Sequence, residues 1–401
     1  MKEVFVIDAV RSPVGKIKGS LSHLRADDLA AHAIRSLLKK LPDLPSDLIS
    51  DVIMGCANQA GEDNRNIARM ALLLAGLPYT VPGETVNRLC ASGMSAVIQA
   101  ARLIRTGDGE MAIAGGVEHM TRSPLVMSKA TTAFGGDVQV YDSSFGWRFI
   151  NPVMHKLYGT DAMGMTAENL VDLYKISRGD QDAFALRSQL KAAKAQTSGR
   201  LATEIAPVEI PQGKGKSVVF VNDEFIKADS SAEGLAKLKP AFKPDGTVTA
   251  GNASGLNDGA AALLLASETA LKQHWLKAKA RIVSSAVVGV EPRIMGIGPV
   301  EASNQALKKA GLTMKDIDII ELNEAFAAQC LACIRAWGLE DDDPRINPNG
   351  GAIALGHPLG MSGARIIQTA TEELIQQKKR YALVTMCIGV GQGYAVILER
   401  A

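Results

Sequence analysis

The chain has 401 residues, of which 47% are hydrophobic, 21% charged and only 4% aromatic, and its 44 Lys and Arg nearly balance its 42 Asp and Glu. This composition is typical of a folded protein with an aliphatic core, and it excludes a disordered, collagen-like or coiled-coil chain. The sequence has no long basic run and no apolar stretch of about 18 residues, which argues against nucleic-acid binding and against a membrane span.

The N-terminal part alternates short apolar runs with amphipathic segments, a pattern that predicts strands and helices in turn. The predicted strands are 4–9, 51–54 and 111–114, and the predicted helices are 27–40 and 93–105. The first strand starts at once, without an apolar leader and cleavage site, and the last residues are not a peroxisomal signal. We therefore expect a cytoplasmic protein.

The middle of the chain, about residues 120–250, lacks this alternation. It contains Ser-, Thr- and Gly-rich pieces, a group of aromatic residues, a helix predicted at 180–197 and a solvated turn at 213–216. A structureless loop of this length is uncommon in a compact domain. We interpret the segment as an inserted domain, and inserted segments often carry specificity.

The C-terminal part repeats the N-terminal pattern. Its predicted strands are 281–290, 317–321, 381–386 and 394–398, and its predicted helices are 300–310 and 361–377. Asp51-Val52-Ile53 resembles Asp318-Ile319-Ile320, and the run from Cys90 to Ser95 resembles the run from His357 to Ser362. Both pairs are 267 residues apart (318 − 51 and 357 − 90).

This repeat indicates two homologous halves. We expect an N-terminal half at 1–119, completed by about 251–272, then the inserted domain at 120–250 and a C-terminal half at 273–401. The alternation of strands and helices predicts α/β layers in which strand pairing is mostly parallel.

Two candidate catalytic groups occupy equivalent positions in the repeat. Cys90 precedes a predicted helix, whose positive dipole end is expected to lower the thiol pKa below about 8.5. His357 lies in a glycine-rich loop before the corresponding helix of the second half. If both helix N-termini converge, thiol and imidazole form an activated nucleophile. The alternatives are a buried structural cysteine and a capping or core histidine.

Cys387 and Asn323 are further candidates. Cys387 opens a glycine-rich segment that includes Gly389, and its backbone N–H groups can form an anion nest. A strand follows these glycines, which argues against a dinucleotide-binding fingerprint. Asn323 ends a predicted strand and offers an amide to a water or polar group. The remaining candidates are interpreted as structural, without a metal site: Cys56, Cys330, Cys333 and His119.

These motifs, in this order, resemble the thiolase family. The resemblance extends from 6–11 to the C-terminus and includes Asn323-Glu324-Ala325-Phe326 and the segment 251–260. It implies the thiolase fold, which consists of two similar α/β halves with an inserted loop domain. It also implies an acyltransferase without a metal or a tightly bound cofactor, and a homo-oligomer such as a dimer of dimers.

The resemblance assigns roles to individual residues. Cys90 is the acylated nucleophile, His357 removes its proton, and Cys387, at an ordinary thiol pKa near 8.5, exchanges the second proton. Asn323 holds a water that forms one oxyanion hole with His357, and the backbone N–H groups of Cys90 and Gly389 form the other. Coenzyme A is the co-substrate, and the positions that match its binding site are Lys227, Phe242, Ala250 and Ser254. Met163 and Met295 match methionines of the acyl pocket.

Ala162 argues against an enzyme that makes acetoacetyl-CoA, because short-chain biosynthetic thiolases have a histidine at this position. The segments 61–66, 141–142 and 146–149 resemble those thiolases that cleave 3-oxoadipyl-CoA with CoA into succinyl-CoA and acetyl-CoA. The distal carboxylate of that substrate calls for a cation, and Arg65 and Arg148 are the candidates.

Other functions stay open at this point. Within the family, the alternatives are a general 3-ketoacyl-CoA thiolase of fatty-acid β-oxidation and an acetoacetyl-CoA thiolase. A ketoacyl synthase needs a second active-site histidine where this chain has Asn323. From another class, a non-catalytic acyl-CoA-binding protein of thiolase fold is an alternative, although it should have lost one of Cys90, His357 and Cys387.

Overall fold

The computed structural model describes residues 2–401. Its strands are β1 Val4–Arg11, β2 Gly15–Lys16, β3 Asp51–Gly55, β4 Gly83–Val86, β5 Met111–His119, β6 Leu125–Met127, β7 Val140–Asp142, β8 Val208–Gly213, β9 Lys216–Phe220, β10 Asn257–Ser267, β11 Ala280–Gly289, β12 Ile319–Leu322, β13 Tyr381–Ile388 and β14 Gln392–Arg400. Its α-helices are α1 Ala26–Lys39, α2 Ile67–Ala75, α3 Ser92–Thr106, α4 Pro152–Tyr158, α5 Met163–Tyr174, α6 Arg178–Thr197, α7 Ala232–Ala236, α8 Glu268–Gln273, α9 Gly298–Ala310, α10 Ala327–Ala336, α11 Ala352–Leu355 and α12 Leu359–Gln376.

The main sheet has the strand order β12-β13-β14-β11-β1-β10-β5-β3-β4, with β2 paired to β10. The order β12-β13-β14-β11 of the second half repeats the order β3-β5-β10-β1 of the first, so the predicted duplication is confirmed. The two halves meet where β1 and β11 pair through only two residues of β1, Phe5 and Val6.

The prediction of mostly parallel pairing is wrong. Parallel neighbours in the main sheet are β3–β4, β3–β5 and β12–β13, and the other pairs are antiparallel. Parallel neighbours need a crossover of a dozen or more residues, but only residues 389–391 separate β13 from β14, so these strands must form a hairpin. Strand β10 enters from the inserted segment and runs antiparallel to both β1 and β5.

Helices α3 and α12 form the centre of the molecule, in one core with strand residues of both halves. The opposite side of the sheet is covered by α1 and α2 in the first half. In the second half it is covered by α9 and α10. Helix α12 is enclosed so completely that every residue from Gly360 to Leu374 is buried. No helix among residues 2–401 is both long and apolar enough to cross a bilayer.

Glycines bring α3 and α12 into direct backbone contact. A Cβ atom at Gly93 would lie 2.5 Å from the carbonyl oxygen of Gly360, and one at Gly363 would overlap the backbone of Met94. Only residues without a Cβ allow this approach. The N-termini of the two helices therefore converge, as the equivalence of Cys90 and His357 predicted.

Buried ion pairs fasten the segment between β5 and β10 to the rest of the fold. Arg11 of β1 is fully buried and pairs with Glu204 at 3.0 Å and with Asp223 at 2.7 Å. Arg200 pairs with Glu204 at 2.7 Å and with Glu373 of α12 at 2.9 Å. Strand β1, the inserted segment and α12 thus share one network of buried charges.

Candidate active site

Cys90 lies in a short 3-10 turn that runs directly into α3. The preceding residue, Leu89, has a φ of 47°, which is unusual for a residue with a branched side chain. The turn is held by the amide of Leu89, which donates to Asn87 Oδ1 at 2.9 Å, and by that of Arg88, which donates to Ser92 Oγ at 2.9 Å. The strained turn therefore fixes the predicted nucleophile at the start of α3.

The thiol of Cys90 is not activated by its surroundings alone. Burial raises its pKa, although the backbone N–H groups of Gly389 and of Cys90 itself donate to the sulfur and oppose this effect. The expectation of a lowered thiol pKa is therefore wrong, because desolvation outweighs these two hydrogen bonds. A separate base has to remove this proton.

His357 is held in one tautomer by the start of α12. Its backbone N–H donates to Asn257 Oδ1 at 3.0 Å, and its Nδ1 lies 2.6 Å from Ser362 Oγ. The Ser362 hydroxyl donates to the carbonyl oxygen of Pro358 at 2.8 Å, so it accepts from Nδ1–H of the ring. The free nitrogen is then Nε2, which lies 3.4 Å from Asn323 Nδ2.

The imidazole of His357 is uncharged near neutral pH. Burial lowers its pKa to about 3, and the charge of Arg365 on the same helix adds to this effect. A neutral ring with an unprotonated Nε2 accepts a proton but has none to give from that atom. The ring is therefore suited to act first as a base.

Cys387 lies near the end of β13 and packs with Met295, Phe326 and Met163. Burial raises its pKa well above the ordinary value, and the neighbouring Cys90 raises it further. The expected exchange at an ordinary thiol pKa is therefore wrong, since this thiol keeps its proton at neutral pH and acts first as an acid. A tight turn after the strand, with Val390 at φ 63°, supports the Gly389 amide that points at Cys90.

A cavity of about 290 Å³ opens onto Cys90 and contains three of the other predicted residues, Gly389, Met163 and Arg148, in its lining. Met295 lies behind Met163 in the same apolar cluster. Arg65 is exposed and does not line this cavity. The structure therefore brings one of the two candidate arginines to the nucleophile.

The predicted coenzyme A positions fall into two groups. Lys227 and Ala250 line a cleft of about 200 Å³, where the Lys227 ammonium lies 5.5 Å from the centre of the Phe225 ring. Phe242 and Ser254 adjoin Phe326 instead. The Phe242 and Phe326 rings are 6.2 Å apart, and the Ser254 amide donates to the carbonyl oxygen of Ala325. Since Phe326 packs in the same apolar cluster as Cys387, the second group adjoins the surroundings of that thiol.

Three positioning residues escaped the sequence analysis. They are Ser362, Asn257 and Glu118. Glu118 is buried and accepts hydrogen bonds from the amides of Ala57, Asn58 and Gly360 at 2.8–3.0 Å. The spacing of Ser362, one helical turn into α12 from His357, is a signal that could have identified it. Nothing local in the sequence marks Glu118, because its three donors come from distant segments.

The residues interpreted as structural are all buried. Cys330 and Cys333 lie on α10 among apolar neighbours, and burial raises both thiol pKa values. His119 Nε2 lies 3.1 Å from the carbonyl oxygen of Leu21. Cys56 lies close to Asp63 and Glu118, a grouping of metal-ligating types. The backbone donors already satisfy Glu118, so this group is explained without an ion.

Comparison with known proteins is consistent with this geometry. The model described as "Thiolase, N-terminal domain" matches residues 4–269, and "Thiolase, C-terminal domain" matches residues 276–400. The fold and the match define an acyltransferase. The chain belongs to the thiolase family.

Relatives match over their full length. A beta-ketoadipyl-CoA thiolase of Escherichia coli is 58% identical over 400 residues, which cover 100% of both chains. A 3-oxoadipyl-CoA/3-oxo-5,6-dehydrosuberyl-CoA thiolase of E. coli K12 is 57% identical with the same coverage. The crystal structure of the Bacillus anthracis acetyl-CoA acetyltransferase has a TM-score of 0.93 at 41% identity, and it covers 100% of this chain and 99% of that one. The thiolase fold predicted from the sequence is confirmed.

Proposed function

We propose that this thiolase cleaves 3-oxoadipyl-CoA with CoA and yields succinyl-CoA and acetyl-CoA. The full-length relatives whose names state this substrate support the proposal. The observation that carries it is the placement of Arg148 in the cavity that opens onto Cys90. The site chemistry suits the reaction, because it combines a thiol, a neutral base and a second, protonated thiol.

The first half of the reaction acylates the enzyme. His357 Nε2 accepts the Cys90 proton, and the thiolate attacks the 3-oxo carbon, whose developing oxyanion is stabilised by hydrogen-bond donors. The bond between C2 and C3 breaks, and its electron pair goes to C2 of the departing acetyl-CoA. Cys387, which holds its proton at neutral pH, donates that proton to C2. The product of this half is succinyl-Cys90.

The second half returns both protons. The Cys387 thiolate removes the proton from the CoA thiol, and the CoA sulfur attacks the thioester at Cys90. The backbone N–H groups of Cys90 and Gly389, which already point at the Cys90 sulfur, are placed to bind the oxyanion of this intermediate. Release of the Cys90 thiolate regenerates its thiol with the proton held by His357.

Arg148 accounts for a dicarboxylic substrate. A carboxylate loses its hydration on entering the largely apolar cavity, and a paired cation offsets that loss. Among residues 2–401, the only hydrogen bond of the Arg148 side chain runs from Nη1 to the carbonyl oxygen of Ser143 at 3.3 Å. The remaining guanidinium donors can hold the distal carboxylate in a bidentate pair.

The test compares Arg148→Met with Arg65→Met as the matched control. Arg148→Met should lower kcat/KM for 3-oxoadipyl-CoA about 30- to 1000-fold, which corresponds to a loss of about 2–4 kcal/mol. It should affect acetoacetyl-CoA, which lacks the distal carboxylate, much less. Arg65→Met should leave both substrates nearly unchanged. If Arg148→Met loses activity equally on 3-oxoadipyl-CoA and acetoacetyl-CoA, this arginine does not bind the distal carboxylate.

A general 3-ketoacyl-CoA thiolase is the second candidate, because the rest of the cavity lining is largely apolar. A 3-ketoacyl-CoA thiolase of Klebsiella pneumoniae is 48% identical over 405 residues, with 100% of both chains covered. If the wild-type protein prefers a neutral medium-chain ketoacyl-CoA over 3-oxoadipyl-CoA, this second function replaces the first.

Further expectations belong to the same proposal. Lys227, Phe242, Ala250 and Ser254 bind coenzyme A as co-substrate, and the three-part domain division stays part of the proposal. The β6–β7 hairpin supports a homo-oligomer, because its apolar side chains at Leu125, Met127 and Phe134 are exposed. The cytoplasm is the proposed location.

A further inference from the structure

Arg365 is a buried charge without a partner. It lies on α12, eight residues after His357, and its side chain is fully buried. None of its three guanidinium nitrogens has a hydrogen-bond partner within residues 2–401. An unpaired buried charge is strongly unfavourable, so a group other than the polypeptide must satisfy these donors.

Buried acceptors without partners lie on the elements around it. They are Oε1 of Glu321, Oε1 of Gln368 and Oδ1 of Asn323. Ile319 of β12 packs into the core that contains α12, and side chains alternate along a strand, so Glu321 faces α12 as well. Gln368 lies one turn after Arg365 on α12, and its amide nitrogen already donates to the carbonyl oxygen of Glu204.

Unsatisfied donors and unsatisfied acceptors together point to water. A water molecule donates and accepts, and buried waters typically make about three hydrogen bonds to such groups. An anion would satisfy only the Arg365 nitrogens and would leave the three oxygens without donors. Water therefore fits this set of atoms better than a bound anion does.

Charged groups on several elements act on Arg365 and Glu321. They are Arg11, Lys191, Arg200, Glu204, Asp223 and Glu373. Burial raises the pKa of Glu321 to about 8, in agreement with a carboxyl group that keeps its proton at neutral pH.

We propose that Arg365, Glu321 and Gln368 enclose internal water behind Asn323 and His357, and that the charge of this hydrated cation adds to burial in keeping His357 uncharged. The part concerning His357 rests on the proposed thiolase mechanism. Arg365 and Glu321 are positioning residues, because they act through water and His357 and do not touch the reacting atoms. The water also supplies a donor to Asn323 Oδ1, which holds the amide with Nδ2 toward the ring.

The first test concerns the water itself. A high-resolution crystal structure of the wild-type protein should show water oxygens within hydrogen-bond distance of the Arg365 nitrogens and of Glu321 Oε1. Crystals soaked in bromide should show no anomalous peak there. An empty space, or a halide at Arg365, would overturn the proposal.

The raised pKa of Glu321 gives a separate prediction for stability. A carboxyl whose pKa is 4.5 when unfolded and about 8 when folded loses stability as pH rises between those values, since only the folded state keeps the proton. The melting temperature of Glu321→Gln should rise relative to that of the wild type as the pH increases from 4.5 to about 8. Glu340→Gln, at an exposed position, serves as the control and should show no such trend. A pH-independent difference for Glu321→Gln would contradict a neutral carboxyl.

The second test concerns His357 and uses acetoacetyl-CoA cleavage. Arg365→Met should move the acid limb of the pH profile of kcat/KM toward higher pH by on the order of one unit. The reason is that the imidazolium of His357 loses a repelling charge. Arg365→Lys keeps the charge and should keep the limb near its wild-type position. An equal loss of activity at every pH would mean that Arg365 is merely structural. If the wild-type protein does not cleave ketoacyl-CoA at all, the proposed function fails, while the crystal structure still tests whether water occupies this site.

Discussion

At the scale of single residues, the three catalytic candidates Cys90, His357 and Cys387 are uncharged at rest. Burial raises the pKa of both Cys90 and Cys387 and lowers that of His357 to about 3. Near neutral pH both thiols carry their protons and the ring carries none on Nε2. These three neutral side chains meet an acyl thioester without first losing the hydration of an ion.

Replacement of Cys90 tests its assignment as the nucleophile directly. Cys90→Ser should keep the melting temperature and lower thiolytic turnover by several orders of magnitude, because a hydroxyl is far less acidic and less nucleophilic than a thiol. Wild-type protein incubated with labelled acetyl-CoA should carry the label on the peptide that contains Cys90. Stable label on Cys56, Cys330 or Cys333 would contradict the assignment.

Some of these residues could be predicted from the sequence and others could not. Cys90 and His357 were found because the duplicated chain places both before equivalent helices. The pKa values of Cys90 and Cys387 were not predicted correctly, since desolvation depends on the whole surrounding fold. Glu118 was missed for the same reason, because the three amides that bind it come from segments far apart in the chain.

At the scale of elements, the contact between α3 and α12 controls the site. Both helices start at a catalytic candidate, and Gly93 and Gly363 set how closely their first turns approach. A change of spacing here moves Cys90 relative to His357 without altering either side chain. The backbone contact is therefore part of the active-site geometry.

Gly93→Ala should weaken both the fold and the activity. Its new methyl group meets the Gly360 carbonyl, so we expect unfolding free energy to fall by about 1–3 kcal/mol. A displacement of about 1 Å at the helix start should lower kcat about 10²-fold. Gly289→Ala, where a Cβ meets nothing within 4 Å, is the control and should change neither quantity measurably. Denaturant titration and steady-state kinetics on both variants decide the matter.

The predicted elements differ in how well local sequence specified them. Helix α1 was predicted within one residue of its ends because acids precede and lysines follow an amphipathic run. Strand direction was predicted wrongly because apolar runs mark a strand but not its neighbour. The interval 387–393 between the predicted strands 381–386 and 394–398 is too short for a crossover, and it was the available signal for the β13–β14 hairpin.

At the scale of the whole molecule, buried charges join parts that are distant in sequence. Arg11, Glu204, Asp223, Arg200 and Glu373 connect the first strand, the inserted segment and α12 through ion pairs of 2.7–3.0 Å. Such a network contributes little net stability when complete, but removal of one member leaves a buried charge unpaired. The network therefore specifies how these three parts fit together.

Asp223→Ala should lower the unfolding free energy by about 3–5 kcal/mol, because Arg11 loses a bidentate partner in a fully buried position. Lys272→Ala removes an exposed ion pair with Glu268 and should change stability by at most about 0.5 kcal/mol. Urea titrations of both variants at one pH measure the two values. Similar small effects in both would mean that the Arg11 pair is not buried in solution.

The enclosure of α12 also has a consequence for the order in which the chain folds. This helix is encoded near the C-terminus, yet it is buried from Gly360 to Leu374 and packs against α3, more than 250 residues earlier. The apolar surface of α12 stays exposed to solvent until most of the chain has folded around it. Contacts of such long sequence separation slow folding, and a ribosome must release nearly the whole chain before they can form. The catalytic pair at the start of α3 and α12 is therefore assembled late, in the same step that completes the molecule.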